Sequence, residues 1–437
     1  MRRQLLADHG MLIVLVLLCA YYSYATWDEQ FPSGDAAAQQ VAREARSLSG
    51  PEGRVLVVAE DTDDGRRFAE AAGRRLREGD FEVVATVVGE PPDLAAELER
   101  VAAGPGRLTA LVASNAAARW RVVEIMPERF PSLGDVRVVA PRSHRFPDFL
   151  RRSNLLAIAD RIVVIAIVAI GMTMVIITGG IDLSVGSLIA LSAVLATVLI
   201  RRHGGAAATP SVMALACLGA VLLCGAIGAF SGLMVSYARI PPFIVTLAMM
   251  LVASGLAFTL AGGQSVYQVP TSIDWLGRGA GPFGLPNTVI LMAVLYAAAH
   301  LLMTRTVLGR RIYAVGGNVE AARLSGVPVA AVILFVYTAC GCLAGLGGIV
   351  QASQLRSGAP TYGVMYELYV IAAVVVGGSS LAGGRGRVLG TLIGAFIIAV
   401  IQNGMNLTGV ESYTQKVVMG VVILAAVLLD HLRAWRR

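Results

Sequence analysis

The sequence has few charged residues and a single lysine. Asp, Glu, Lys and Arg make up 15% of the 437 residues, and 56% of the residues are hydrophobic, whereas about 25% of a typical soluble domain is charged. This shortage argues against a water-soluble protein. The net charge of +7 comes almost wholly from arginine, because Lys416 is the only lysine. On a membrane protein such charge indicates cytoplasmic loops rather than a nucleic-acid interface.

A phosphate-binding P-loop is also missing. A Walker A motif needs a lysine directly after a glycine-rich loop, but Lys416 follows Thr414 and Gln415. Segment 377–386 is rich in glycine, yet no lysine follows it, so it is interpreted as a flexible turn between spans. We therefore expect that the chain is not an enzyme and that a separate subunit hydrolyses any ATP.

The cysteines lack the spacing of a zinc site or a disulfide framework. All lie in apolar segments and are interpreted as small buried hydrophobic residues. We expect neither a metal nor a cofactor. The cysteines are Cys19, Cys217, Cys224, Cys340 and Cys342.

Long uncharged runs indicate membrane spans. The clearest runs cover residues 11–25, 162–177, 185–200 and 417–429. A bilayer core needs about 20 apolar residues per helix, and the runs lack the alternation of a barrel strand. The first run could be a cleavable signal peptide. It is interpreted as an anchor, because an aromatic belt at 21–27 follows it and no small-residue cleavage site is present.

Composition divides the chain into three parts: a first transmembrane helix at 1–26, a polar insert at 27–153 and a membrane domain at 154–437. The fold class predicted is an all-α polytopic membrane protein of about ten transmembrane helices with an inserted α/β domain. The further spans are predicted near 156–178, 184–200, 212–236, 243–261, 288–303, 328–350, 366–380, 388–404 and 414–430.

The insert alternates strands with helices, which predicts βαβ units and a small parallel sheet. Such sheets bind ligands at the carboxyl ends of their strands. The predicted strands are 54–60, 81–88, 108–113 and 136–140, and the predicted helices are 63–78, 93–103 and 116–126.

Arginine-rich loops orient the spans. With ten spans, four groups fall on one side, the cytoplasm: residues 2–3, 305–323, 385–387 and 433–437. The insert is then extracytoplasmic. Two arginine pairs, at 151–152 and 201–202, are placed on the extracytoplasmic side, contrary to the rule that positive loops are cytoplasmic. The second pair has no explanation in the sequence.

Two groups of polar residues lie among the apolar runs. Asp182, Ser184 and Ser187 stand among glycines between two spans. A carboxylate near a bilayer tends to face the bundle interior or a water-filled path; alternatively, Asp182 caps the next helix.

Asn403 and Asn406, with Gln402 beside them, could contact a hydroxylated substrate or bond to neighbouring helices. Glycines in 225–232 and 341–348 predict tight helix packing.

Four segments resemble the signature of the ribose/xylose/galactose-type permeases of bacterial ABC importers, in order and in spacing. They cover residues 171–193, 308–327, 372–395 and 403–410. The resemblance implies a homodimer in the lipid of the bacterial inner membrane, with about ten spans per chain. It also implies two cytoplasmic ATP-binding subunits, a soluble sugar-binding protein, and a monosaccharide or small polyol as the substrate.

In that family a short helix in the cytoplasmic loop before the seventh span contacts the ATPase. An (i, i+3) pair between Glu320 and Arg323 would support such a helix here. An ordinary arginine-rich turn is the alternative. The matching positions of this coupling loop are Gly316, Gly317, Asn318, Glu320, Ala321, Ala322 and Gly326.

The insert resembles one lobe of a periplasmic binding protein of the ribose-binding/LacI kind, through segments 55–79, 108–118 and 135–141. In such lobes the third strand often ends in Asn-Asp, but here Asn115 precedes Ala116. Three roles remain open: a structural or docking domain, a ligand sensor, and a lobe that completes a site with a separate partner. We predict that deleting 30–150 leaves membrane insertion intact.

Two rival functions remain. An ion-coupled secondary transporter would favour several intramembrane carboxylates or histidines, and Asp182 and Glu367 are nearly the only candidates. A membrane-anchored ligand sensor would not need nine further spans.

Overall fold

The computed structural model describes residues 2–32, 34–49, 53–104 and 107–435. The chain forms two compact units, one made of Met1–Thr26 with Asp148–Arg437 and the other of Trp27–Pro147. We call them the membrane unit and the insert. Arg436 and Arg437, used in the orientation prediction, lie outside the described residues.

Helices dominate the membrane unit. In chain order the helices of the described chain are α1 (Arg2–Ala25), α2 (Gly34–Ser49), α3 (Asp63–Arg77), α4 (Pro91–Ala102), α5 (Arg121–Glu124), α6 (Met126–Arg129), α7 (Arg152–Ile177), α8 (Val185–Arg202), α9 (Pro210–Ser236), α10 (Pro242–Ala261), α11 (Asp274–Gly277), α12 (Asn287–Arg305), α13 (Val307–Gly317), α14 (Val319–Leu324), α15 (Val329–Leu355), α16 (Tyr366–Val376), α17 (Val388–Leu407) and α18 (Ser412–Trp435). The strands are β1 (Trp27–Gln30), β2 (Arg54–Glu60), β3 (Glu82–Gly89), β4 (Ala110–Ala113), β5 (Arg137–Val139) and β6 (His144–Pro147).

Seven helices of the described chain are long and apolar enough to cross a membrane: α7, α8, α9, α10, α12, α15 and α17. Three further apolar stretches are shorter, at Gly10–Ala25, Tyr366–Val376 and Ser412–Leu428. A polytopic helical membrane protein is therefore confirmed, whereas the count of ten spans stays a prediction. The predicted span at 366–380 is a helix of only 11 residues, α16.

The core of the membrane unit lies around α7, α8, α15 and α17. The most apolar parts of α7, α8 and α17 are about two-thirds or more buried, whereas those of α9, α10 and α12 are mostly exposed.

The centre of α15 packs on α9 through glycines. A Cβ at Gly341 would overlap the carbonyl oxygen of Cys224, and one at Gly228 would overlap that of Tyr337. The predicted tight packing of these glycine segments is confirmed.

The insert contains a four-stranded sheet in the order β3-β2-β4-β5, and each neighbouring pair is parallel. Its central strand β2 is buried on both faces. Val55 and Val57 pack towards α2 and α3, while Leu56 and Val58 pack towards α4 and the short helices that follow β4. A sheet covered by helices on both sides explains the nearly continuous apolar strand, because neither face of it meets water.

Two stretches of the insert differ from the sequence prediction. Helix α2 was not predicted, although its alanines Ala37, Ala38 and Ala45 are fully buried. The predicted helix at 116–126 is instead a 3₁₀ turn followed by α5 and α6. The backbone of Trp120 is extended, with φ −68° and ψ 139°, and this interrupts the helix.

Strands β1 and β6 form an antiparallel stem at the ends of the insert, pairing Trp27 with Pro147 and Gln30 with His144. The compact unit of the insert ends at Pro147, six residues before the predicted boundary at 153. Phe149 belongs to the membrane unit, where it is buried and its ring stacks on Tyr22 at a centroid distance of 6.1 Å.

Candidate translocation and coupling sites

Asp182 lies in the short connection between α7 and α8 and is fully buried. Its Oδ1 accepts hydrogen bonds from the backbone N–H of Ser184, at 3.0 Å, and from the Ser184 hydroxyl, at 2.6 Å. Ser184 is the residue before the first turn of α8. This geometry corresponds to the capping alternative for Asp182, because the carboxylate binds backbone and hydroxyl groups at the start of α8.

The surroundings of Asp182 are packed side chains of α15. The Cys340 thiol lies beside the carboxyl group. The Tyr337 hydroxyl is close to Gly180, where a Cβ would overlap it, and it makes no hydrogen bond within the described chain. Ser184 is 1% exposed, and Ser187 is half-buried. Asp182 and Ser184 are thus both enclosed by protein in this conformation.

Asn403 and Asn406 lie at the other end of α7. The Asn403 side chain is bonded to Asn154, in the first turn of α7, and Asn406 Oδ1 accepts a hydrogen bond from Gln415 of α18 at 2.8 Å. Helix α7 has 26 residues, so about 39 Å separates its ends. The structure therefore places the predicted path residues in two groups at opposite ends of the bundle.

The coupling loop contains the predicted short helix, α14. The Asn318 side chain caps it by accepting a hydrogen bond from the Ala321 N–H at 2.9 Å. The predicted pair between Glu320 and Arg323 is present, with an N–O distance of 2.9 Å. Ala322 is buried, whereas the side chain of Leu324 is 89% exposed. One face of α14 thus packs on its own unit, and the other presents a large apolar side chain.

Glycine backbones join the coupling loop to the end of α7. A Cβ at Gly316 would overlap the carbonyl oxygen of Ile177, and that oxygen accepts a hydrogen bond from the Gly384 N–H at 2.8 Å. Tyr313 of α13 donates to the carbonyl oxygen of Gly386 at 2.7 Å. We call this meeting point of α7, α13 and segment 377–386 the glycine junction.

The glycine junction was missed in the sequence, where 377–386 was interpreted as a flexible turn. The available signal was the position of the glycines. Gly179 follows α7, Gly384 follows α16, and Gly316 lies at the end of α13. These three helix ends are predicted to lie on the cytoplasmic side of the membrane. Close backbone approach is what glycine permits, so shared glycines at these ends could have predicted the contact.

The carboxyl edge of the insert sheet is occupied by contacts within the insert. Ser114 donates to the Glu60 carboxylate, Asn115 donates to the carbonyl oxygen of Pro32 at 3.3 Å, and the Arg119 guanidinium lies 4.9 Å from the centre of the Phe31 ring. Polar groups at this edge therefore bind one another and the segment that follows β1.

No group of three His, Cys, Asp or Glu side chains in the described ranges is arranged to hold a metal ion.

The described membrane bundle carries a short helix, α14, between α12 and α15, and one side chain of this helix is exposed. The family model described as the permease component of a branched-chain amino acid transport system matches residues 154–427. The match starts after the insert and includes the coupling loop and the glycine junction. No solved structure gave a significant match to the chain.

Curated relatives have names that refer to sugar import. The ribose import permease protein RbsC of Escherichia coli (strain K12) is 46% identical over 290 residues, which are 65% of this chain and 88% of the relative. The D-allose transport system permease protein AlsC of the same strain is 38% identical over 285 residues, 65% of this chain and 85% of the relative. The L-arabinose ABC transporter permease protein AraH of Azospirillum brasilense is 37% identical over 292 residues, 67% of this chain and 84% of the relative.

The chain belongs to the family of permease subunits of bacterial ABC importers that includes these ribose, allose and arabinose permeases. It is a multi-pass membrane protein of the bacterial inner membrane.

Proposed function

We propose that this chain forms the membrane path of an ATP-driven importer for a monosaccharide or a similar small polyol. Relatives named for ribose, allose and arabinose support this class of substrate. Lys416 does not follow a glycine-rich loop, and we expect separate cytoplasmic ATP-binding subunits to hydrolyse the ATP. A soluble sugar-binding protein delivers the substrate from the other side of the membrane, and two copies of the chain, embedded in lipid, enclose the path.

The exposed face of α14 carries the proposal. Leu324 is 89% exposed beside the Glu320–Arg323 pair, while Ala322 and Gly316 attach the segment to its own unit. An isolated apolar side chain on a short, capped helix is suited to insertion into a cleft of a partner protein. ATP-driven movement of that partner would reach the end of α7 through the glycine junction.

Reconstitution tests the proposed function. The purified chain is placed in liposomes with its ATP-binding subunit and its sugar-binding protein, and uptake of labelled ribose, allose and arabinose is measured. We expect uptake that needs ATP and both partners and that does not respond to a sodium or proton gradient. Accumulation by the chain alone, driven by an ion gradient, would show that it is a secondary transporter instead.

For the insert we propose a structural or docking role on the extracytoplasmic side. The support is the carboxyl edge of the sheet, where Asn115 and Arg119 hold segment 31–32 at the place where related lobes receive a ligand. Ser114 and Glu60 are also bonded to each other. A ligand would have to displace these contacts. Titration of the full chain with the transported sugar, in the absence of the binding protein, should therefore leave the amide exchange of the insert unchanged.

A further inference from the structure

The chain between α15 and α16 runs inside the helix bundle without being helical. Residues 356–365 form no helix. Gly358 lies against Thr197, and Gly363 lies against the carbonyl oxygen of Gly186, in each case so closely that a Cβ would overlap. Both neighbours belong to α8, and their separation of 11 positions corresponds to about 16 Å along that helix. The stretch therefore follows α8 through much of its length.

Helix α16 consequently begins within the span of α8. It has 11 residues, about 16 Å, and a bilayer core is about 30 Å thick. The stretch before it is held in an unusual conformation, since Arg356 and Met365 have φ values of 52° and 70°. A non-glycine residue in this region is strained, and such strain is concentrated at functional sites.

One side of this stretch is uncovered. Thr361 is exposed, Val364 is 64% exposed and Met365 is 47% exposed, and Glu367 in the first turn of α16 is half-buried. Non-helical backbone within a bilayer is tolerated only where it is buried in protein or lines a water-filled cavity. A carboxylate at that depth likewise faces a bundle interior or a water-filled path. The non-helical backbone of the stretch is therefore unsuited to contact with lipid.

The polar groups of the stretch suit a hydroxylated solute. Glu367 lies next to Gly186, where a Cβ would overlap its carboxylate, and it can accept hydrogen bonds from hydroxyl groups. Tyr362 and Ser357 share a hydrogen bond of 2.5 Å, and Tyr366 offers an aromatic face. On α15, Gln351 Oε1 is buried and has no hydrogen-bond partner within the described residues.

We propose that residues 357–367 line the translocation path and that the Glu367 carboxylate accepts hydrogen bonds from the hydroxyl groups of the passing sugar. The inference rests on the proposed function, because it names the part of the chain that contacts the substrate. It also moves the path away from Asp182, which is enclosed, and from Asn403, which is bonded to Asn154.

Thiol accessibility tests the path without requiring transport. Thr361→Cys and Val364→Cys are compared with Leu251→Cys, an equally exposed position on α10, in the full-length chain in liposomes. The unsubstituted chain gives the background labelling. A charged thiosulfonate reacts with thiolate in water, so we expect positions 361 and 364 to react at least about tenfold faster than position 251. Ribose or a related sugar should slow the reaction.

Two results of this labelling would overturn the proposal. Reaction at positions 361 and 364 as slow as at position 251 would place the stretch in lipid. Spontaneous disulfide bonding of Val364→Cys between two copies, with no reaction towards the reagent, would show that the stretch is a contact between copies. Both results are independent of ATP-driven uptake, so they separate this proposal from the proposed function.

The role of Glu367 is tested in the reconstituted complex by Glu367→Gln. Glu411→Gln is the control, since Glu411 is an exposed carboxylate before α18. Loss of a charge-assisted hydrogen bond should lower the sugar transported per ATP hydrolysed by about tenfold, while the rate of ATP hydrolysis stays within about twofold. An unchanged ratio, or an equal loss of uptake and ATP hydrolysis, would contradict a contact with the substrate.

Discussion

Asn154 and Asn403 exchange two side-chain hydrogen bonds across α7 and α17, with N–O distances of 3.2 and 2.9 Å. Each amide gives one donor and one acceptor to the other, so both side chains are largely satisfied by the protein itself. Asn154 also donates to the carbonyl oxygen of Phe149 at 2.8 Å. The pair therefore ties the start of α7 to α17.

The first prediction concerns this amide pair. Asn154→Ala, Asn403→Ala and the double variant should show a coupling energy of about 0.6 kcal/mol, and at most about 1.7 kcal/mol, which is the range for hydrogen bonds between membrane helices. Denaturant unfolding of the four proteins in mixed micelles measures it. Sugar transported per ATP should stay unchanged; a lower ratio in a stably folded Asn403→Ala protein would instead place Asn403 in the path.

The second prediction concerns the glycine junction. Gly316→Ala would place a methyl group on the Ile177 carbonyl oxygen, whereas Gly317→Ala meets nothing within 4 Å. We expect Gly316→Ala to lower ATP-driven uptake at least tenfold and Gly317→Ala to leave it within about twofold. Uptake and ATP hydrolysis are measured together on proteins of matched amount. Similar behaviour of the two variants would argue that the close contact plays no part in coupling.

The third prediction concerns the exposed face of α14. Burial of a leucine side chain contributes about 1.5–3 kcal/mol, so Leu324→Ala should weaken binding of the ATP-binding subunit about tenfold or more. The control is Leu285→Ala, a partly exposed leucine before α12. Affinity is measured by titrating the labelled subunit onto the permease in nanodiscs. Equal affinities for the two variants would place the ATPase contact elsewhere.

The fourth prediction concerns removal of the insert. The deletion 30–150 predicted from the sequence would also remove Phe149, which stacks on Tyr22 in the membrane unit. Deletion of 31–143 keeps Phe149 and the β1–β6 stem. We expect the shorter deletion to insert and to remain monodisperse in detergent, and the longer one to be less stable. Failure of the shorter deletion to insert would mean that the membrane unit depends on the insert.

The fifth prediction concerns pH. The Arg75 guanidinium donates to Asp35 at 2.6 Å, joining α3 to α2, and this hydrogen bond lowers the pKa of the Asp35 carboxyl group. A lowered pKa means that the pair stabilises the insert above about pH 4, and that this effect is lost as the pH falls through the lowered pKa. Asp35→Asn should therefore speed amide exchange of α2 slightly at pH 7, by less than about fivefold.

The control for this measurement is the native chain at the same pH. The difference between Asp35→Asn and native exchange should shrink as the pH falls through the lowered pKa of Asp35, because the native carboxyl group is then protonated and both side chains are uncharged. A difference that persists at low pH would show that the variant acts through packing rather than through charge.

Much of the membrane fold was accessible from the sequence because hydrophobicity sets it. The predicted spans at 328–350 and 388–404 correspond to α15 (Val329–Leu355) and α17 (Val388–Leu407) within a few residues. Helix α14 was equally accessible, since Asn318 and the spacing of Glu320 and Arg323 are local signals. Such features depend on neighbours a few positions apart, which a sequence displays directly.

The course of residues 356–365 could not be predicted in the same way. The predicted spans at 328–350 and 366–380 leave these residues as a connection, and nothing local reveals that Gly363 contacts Gly186. The sequence left both roles of Asp182 open for a related reason. A carboxylate between two spans can cap a helix or line a path, and its contacts with Ser184 and Cys340 are visible only in the structure.

The stem of β1 and β6 brings the two ends of the insert to neighbouring strands, which lie about 4.8 Å apart. A gap that small can also be closed by a hairpin of a few residues. An ancestral permease could therefore have acquired the whole insert in a single genetic event, without a change in the order or orientation of its spans. The same position offers a place to graft a fluorescent reporter or an affinity tag of similar end-to-end spacing.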